Sequence, residues 1–292
     1  MDLPDPRLHA YRPDLADERL RGRVAAGRFV AGEPWHVSTG VLSLRTEPSP
    51  DSPQDSELIF GERVSVFEIV DGWAWLQNDT DDYVGYADAA CLLPGGTEST
   101  HQISALRTYL YPEPDLKSPV RGVLSMNSPV TAVARDGPFL GLSDGGWVWA
   151  GHLAPAGEFE TDHGAVALRF LGTPYLWGGR SSIGLDCSAL VQMALTRCGT
   201  EAPRDSDMQA GSLGMPVPFE GDRAALRRGD LVFWPGHVGI WLDDGQFVHA
   251  NATHMMTVAE PFAEAARRIR EATGSGVTAV RRPQPSGHAA RS

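Results

Sequence analysis

From about residue 36 to 94 the apolar positions alternate or run in short stretches. Val64-Ser65-Val66-Phe67-Glu68-Ile69-Val70 is followed by Trp73-Ala74-Trp75-Leu76 and then by Tyr83-Val84-Gly85-Tyr86. Asp71-Gly72 and the acidic run 79–82 punctuate them as turns. Short strands at this spacing predict a small antiparallel barrel. The next sixty residues repeat the grammar: 44–50 (LRTEPSP) resembles 110–115 (LYPEPD), and 71–76 (DGWAWL) is echoed by 136–142 (DGPFLGL). Both stretches close on a Leu shortly before Pro, at Leu92-Leu93-Pro94 and Leu153-Ala154-Pro155. Two tandem barrels related by duplication are expected over 36–97 and 98–157. Trp73, Trp75, Trp147 and Trp149 stand at barrel-strand spacing and are read as core rather than as ligand platforms.

Before the barrels, residues 1–35 read as an arm with a short helical piece over 14–26. After Pro155 the pattern changes. Thr161-Asp162 is placed to cap a helix over 164–171 that stops at Gly172. A second helix is expected from about Asp186, and strands return at 231–234, 238–242 and 246–250. This is a separate α+β domain over 158–282, followed by a tail at 283–292 rich in Pro, Gly and Ala.

The most informative stretch is Gly184-Leu185-Asp186-Cys187-Ser188-Ala189-Leu190. From Cys187 onward, apolar residues fall at Leu190, Val191, Ala194, Leu195 and Cys198, which is one face of a helix. Asp186 occupies the N-cap position, so Cys187 is the first helical residue. Free N–H groups and the positive dipole end there favour a thiolate. Cys91 and Cys198 lack such surroundings and read as small buried hydrophobes.

A nucleophilic thiolate needs a base, and the base needs an orienting partner. Residues 228–251 (RGDLVFWPGHVGIWLDDGQFVHAN) provide candidates for both. With Asp243-Asp244-Gly245 as a three-residue hairpin loop, Leu242 faces Gln246 and Gly239 faces His249. His237 then lies diagonal to His249 on one face, within reach of an imidazole pair. A two-residue loop would put the two rings on opposite faces. His, His and Cys are also zinc ligands, but no CxxC or HExxH pair accompanies them, so no metal or other cofactor is expected.

Composition narrows the class. The chain has 292 residues, 42% hydrophobic, with 32 Gly and 22 Pro, which fits a turn-rich globular protein of more than one domain. A net charge of -12 argues against nucleic acid as a partner. Three Cys cannot form a disulfide framework, which favours a reducing compartment or a thiol with a task. No stretch reaches the length of uncharged apolar sequence that a spanning helix needs. The first thirty residues are too often charged for a signal-peptide core, so a cytoplasmic location off the membrane is expected. Oligomeric state stays open.

At these residues the chain resembles the NlpC/P60 family of cysteine peptidases, which have a papain-like fold. The blocks are GTPYLWGGRSSIGLDCSAL, RRGDLVFWPGHVGIW and FVHANATH, in family order over about 160–255. The barrels before them resemble the bacterial SH3 modules often attached to this family. The overall expectation is an α+β chain: a papain-like NlpC/P60 catalytic domain preceded by two small SH3-like all-β barrels. The most similar subgroup cleaves the γ-D-glutamyl-diamino acid bond of murein peptides that carry a free N-terminal L-Ala.

The resemblance implies Cys187 as nucleophile, His237 as base and His249 as orienting member. It places Tyr175 near the oxyanion, with Trp177 in the same lining segment. Asp186 and Ser188 match the pair that holds the substrate's α-ammonium, and Tyr83, then Tyr86, are the best counterparts of an SH3 tyrosine that closes the cleft. Ala189 departs from the Gly common after the Cys-Ser pair. Two other readings stand beside this one: a murein-peptide or protein binding module with a degenerate peptidase domain, and an amidase or acyltransferase on the same fold.

Overall fold

The structure is a computed structural model that describes residues 3–284 apart from 97 and 222. From residue 285 on, the expected tail lies outside the described residues. The chain divides into two compact units, 1–156 and 157–292.

In the first unit a seven-stranded antiparallel sheet runs in the order Gln54–Ile59, Val41–Arg45, Val84–Asp88, Trp73–Asn78, Arg63–Val70, Glu33–Val37, Leu92–Pro94. Period-two alternation sends Val64, Val66, Leu44, Leu58 and Leu76 into one core. Asp71 and Gly72 both take positive φ, 51° and 82°, between the paired residues Val70 and Trp73. This is the two-residue hairpin turn that matches strand twist. A bulge between Val66 and Glu68 leaves Phe67 on the other side of the sheet, where it packs with Trp75, Ala10 and Leu15.

That second cluster corrects the expected helix over 14–26. The segment instead forms the strand Leu15–Asp17, a 3-10 turn Glu18–Leu20 capped by Asp17, and the strand Arg28–Val30, which pairs in parallel with the first. Leu15 and Ala16 are fully buried. Burial against Phe67 and Trp75 decides the conformation, overriding local helix propensity. The N-terminal residues are therefore a layer of the first unit.

The second set of strands carries a core of Ile103, Leu124, Val130, Leu142 and Val148, joined by Phe60 from just after the strand Gln54–Ile59. The repeated grammar has a structural counterpart. In each module a strand leads into a 3-10 turn (Ala89–Cys91, Ala150–His152) and a closing strand (Leu92–Pro94, Leu153–Pro155). The closing strand pairs antiparallel with an early strand, Glu33–Val37 in the first module and His101–Ile103 in the second. Of the four tryptophans, Trp75 is buried, Trp73 and Trp147 are half-buried and Trp149 is exposed, so the core reading holds fully for Trp75 alone.

In the second unit a six-stranded sheet follows the order Met215–Pro216, Ala279–Arg282, Leu231–Trp234, His237–Trp241, Gln246–Asn251, Met256–Pro261. Helix α1 spans His163–Leu168, α2 Cys187–Arg197, α3 Ser206–Ser212 and α4 Phe262–Thr273. Asp162 caps α1 through the Ala165 N–H, and the helix ends at Leu168, short of the expected 171. Its last turn tightens into i→i−3 bonds from Arg169 and Phe170. Helices α1 and α2 pack on the central strands. On one face Trp234, Trp241 and Phe247 meet Phe262 and Ala265 of α4. No helix among the described residues is long and apolar enough to cross a membrane.

Candidate active site

Asp186 is the N-cap of α2, accepting the Ala189 N–H at 2.9 Å, and Cys187 is the first helical residue, as the sequence predicts. The thiol is buried. Its Sγ lies 3.9 Å from the Gly236 carbonyl, and the Val238 N–H points at it. The sulfur thus sits against the backbone on both sides of His237. Burial pushes the thiol up, to about 12, and the neighbouring Asp186 charge adds to this. The expectation of a resting thiolate is therefore corrected: desolvation outweighs the backbone N–H groups at the helix start.

The hairpin forms in the predicted register. Leu242 N–H bonds the Gln246 carbonyl, Gly245 takes φ 74°, and Ile240 and Trp241 pair with Val248 and Phe247. His237 Nε2 and His249 Nδ1 meet at 2.8 Å. Gly239 makes this contact feasible: a Cβ there would lie 2.8 Å from the His249 Cβ and 2.4 Å from the Phe247 ring. Burial lowers His237 to about 3, with the charges of His249 and Arg268 acting in the same direction. These two shifts leave both the Cys187 thiol and the His237 imidazole uncharged near neutral pH.

Four residues that sequence reasoning missed complete the constellation. Glu260 Oε1 lies 2.7 Å from His249 Nε2, and Arg268 of α4 holds the same carboxylate at 2.5 and 2.9 Å. Burial alone would raise Glu260; the hydrogen bonds from His249 and Arg268 prevail and hold it at about 2. Asn251 Nδ2 also approaches His249 Nε2, at 3.0 Å. Because His249 pairs with Val258, Glu260 is its diagonal neighbour on the same face. The fourth is Arg204, 1% exposed, which grips Asp186 at 2.6 and 3.0 Å and donates to Ser188 Oγ at 3.0 Å. Ser188 Oγ in turn donates to Asp186. Gly178 N–H completes the ring of donors around that carboxylate.

Tyr175 is half-buried, and burial, then the Cys187 and Asp186 charges, raise its phenol, which stays a donor. Its backbone N–H bonds the carbonyl of Met255. Trp177 is 69% exposed in the same segment. Ala189 is fully buried within α2. In the first unit Tyr83 is part of the barrel core, while Tyr86 is half-buried and accepts from Arg12 through its hydroxyl. All three cysteines are free. Cys91 and Cys198 are half-buried, less enclosed than expected, with Cys91 against the first barrel's core.

Cys187 opening a helix and a hydrogen-bonded pair of imidazoles on the neighbouring strands are side chains from which a thiol hydrolase site can be built. The NlpC/P60 family profile matches residues 172–270, and that of the bacterial dipeptidyl-peptidase Sh3 domain matches 44–92. A dipeptidyl-peptidase 6 of Lysinibacillus sphaericus is 27% identical over 235 residues, covering 72% of this chain and 85% of that protein. A γ-D-glutamyl-L-lysine dipeptidyl-peptidase of Bacillus subtilis (strain 168) is 36% identical over 92 residues, 29% of either chain. The crystal structure of an NlpC/P60 family protein from Bacillus cereus ATCC 10987 shares the fold, with a TM-score of 0.72, 19% identity, and coverage of 86% of this chain and 100% of that one. The chain carries an NlpC/P60 peptidase domain behind a bacterial SH3 domain.

Proposed function

We propose that the protein is a cysteine peptidase that hydrolyses the γ-D-glutamyl-diamino acid bond of small murein peptides with a free N-terminal L-Ala. The carrying observation is the buried Cys187 at the start of α2 beside a hydrogen-bonded His237–His249 pair. The names of the relatives in Lysinibacillus and Bacillus support the substrate class.

In this mechanism the sulfur attacks the γ-carbonyl of D-Glu as its proton passes to His237. With both groups neutral at rest, proton transfer accompanies C–S bond formation. The Cys187 N–H and the Tyr175 hydroxyl donate to the developing oxyanion, an effect of roughly 3–4 kcal/mol per donor in comparable sites. His237 returns the proton to the leaving amine, and water then hydrolyses the thioester. Asp186 and Ser188 anchor the substrate ammonium, which there shares the carboxylate with Arg204. Trp177, exposed in the segment before α2, lines the approach. The reading includes a cytoplasmic recycling role, testable by cell fractionation.

Cys187→Ala should abolish release of L-Ala-D-Glu from defined peptides while keeping the fold. Unchanged turnover in that variant would overturn the assignment. Parallel peptides with diaminopimelate or lysine at the third position decide the leaving residue. Equal cleavage of an N-acetylated peptide would remove the ammonium role given to Asp186.

A further inference from the structure

The ring nitrogens of the two histidines are assigned by what lies beyond them. An ionised carboxylate only accepts hydrogen bonds. Glu260 is ionised, since Arg268 pairs with both of its oxygens. At 2.7 Å from that carboxylate, His249 Nε2 must carry hydrogen. Neutral His249 then has a bare Nδ1, which accepts from His237 Nε2 at 2.8 Å. His237 in turn has a bare Nδ1, the nitrogen left to receive the thiol proton.

Asn251 is wired for the opposite outcome. Its Oδ1 accepts the His254 N–H at 2.9 Å, which leaves its Nδ2 directed at the same His249 Nε2 at 3.0 Å. An amide donor there favours a bare Nε2, hence hydrogen on Nδ1. The pairing with His237 would then reverse, and His237 would present N–H to the thiol and lose its function as a base.

We propose that Glu260, held by Arg268, is a positioning residue that selects the tautomers of His249 and His237 against a competing hydrogen bond from Asn251. The proposal rests on the reading of His237 as general base. It deepens that reading by naming which nitrogen takes the proton and what keeps it bare.

The test is nitrogen-15 NMR of the histidine rings in the full chain, combined with kinetics on a defined murein tripeptide. Wild type should show hydrogen on Nε2 of both His237 and His249, with both Nδ1 bare. In Glu260→Ala the pattern should invert, and kcat should fall at least ~100-fold with KM little changed, a wrong tautomer in a comparable triad costing about 10⁴-fold. Glu260→Gln retains an acceptor and should stay within about tenfold of wild type. Adding Asn251→Asp to Glu260→Ala puts a carboxylate on the same nitrogen from the neighbouring position. That change should restore the original tautomers and recover at least ~10-fold in kcat.

A merely structural Glu260 would leave the tautomers unchanged in Glu260→Ala, and the second substitution would then bring no rescue. Either result overturns the proposal. If wild type and Cys187→Ala do not differ on murein peptides, the functional reading fails, and the ring spectra still decide the tautomers.

Discussion

Replacing Arg204 by alanine tests what holds the start of α2. The guanidinium is 1% exposed and makes two bonds to Asp186 and one to Ser188. Without it, the Asp186 carboxylate keeps the Gly178 and Ala189 N–H groups and the Ser188 hydroxyl, but its charge stays buried with no counterion. Breaking a buried pair by removing one member costs about 3–5 kcal/mol, mostly the penalty of the stranded charge. The melting temperature of the catalytic unit should fall by about 10 °C or more. Calorimetry of the full chain measures this, with the transition of 157–292 assigned from the thermal stability of the SH3 unit. The double variant Asp186→Asn/Arg204→Met removes both charges and keeps an N-cap acceptor. It should recover most of the loss. A single-variant cost below ~1 kcal/mol, or a double variant no better than the single, would refute the argument that stranded charge sets the cost.

Gly239→Ala should destabilise the catalytic unit by about 1–3 kcal/mol, because the added methyl meets Phe247 and His249 with little room to yield. Urea unfolding measures this, and turnover should fall with it as the His249 ring is displaced. Alkylation of Cys187 in the free enzyme should accelerate steadily from pH 7 to 10, since the thiol is pushed up to about 12. A reactivity plateau already reached near pH 5 would instead indicate a preformed thiolate–imidazolium pair. His237 is depressed to about 3 in the folded state, so its stabilising contribution is full above its unfolded value of 6.5 and is lost as pH falls from 6.5 toward 3. The slope is at most about 1.4 kcal/mol per pH unit for one proton. Relative to wild type, His237→Gln should flatten the acid limb of the stability curve, and an unchanged slope would contradict the assignment.

The elements that carry Cys187, His237 and His249 were legible because each is locally encoded. An Asp before an amphipathic run sets the cap, and a loop of fixed length with Gly at its left-handed position sets which face each histidine occupies. Glu260, Asn251 and Arg204 were not read because their roles depend on pairings beyond that hairpin. The signal for Glu260 existed: extending the same diagonal rule across the next turn, 252–255, puts it beside His249. Arg204 left no local mark, since an arginine in a loop becomes informative only once Asp186 is known to be buried. The N-terminal segment was misread as a helix because its local sequence carries no information about Phe67 and Trp75, on which Leu15 packs.

That packing bears on how this protein can be cut. Val84 N–H bonds the Arg7 carbonyl, Gln77 donates to the Leu8 carbonyl, and Ala10 and Leu15 cover Phe67 and Trp75. A truncation at residue 36, where the barrel's strand pattern suggests a clean boundary, would uncover two aromatic rings and release partners of the Trp73–Asn78 and Val84–Asp88 strands. An exposed aromatic patch beside unpaired backbone invites self-association. The cut also removes Glu33, Pro34 and Trp35 from the strand that pairs with Arg63–Val70, so the shortened chain would precipitate or form oligomers, and its aggregation would say nothing about the activity of the peptidase unit.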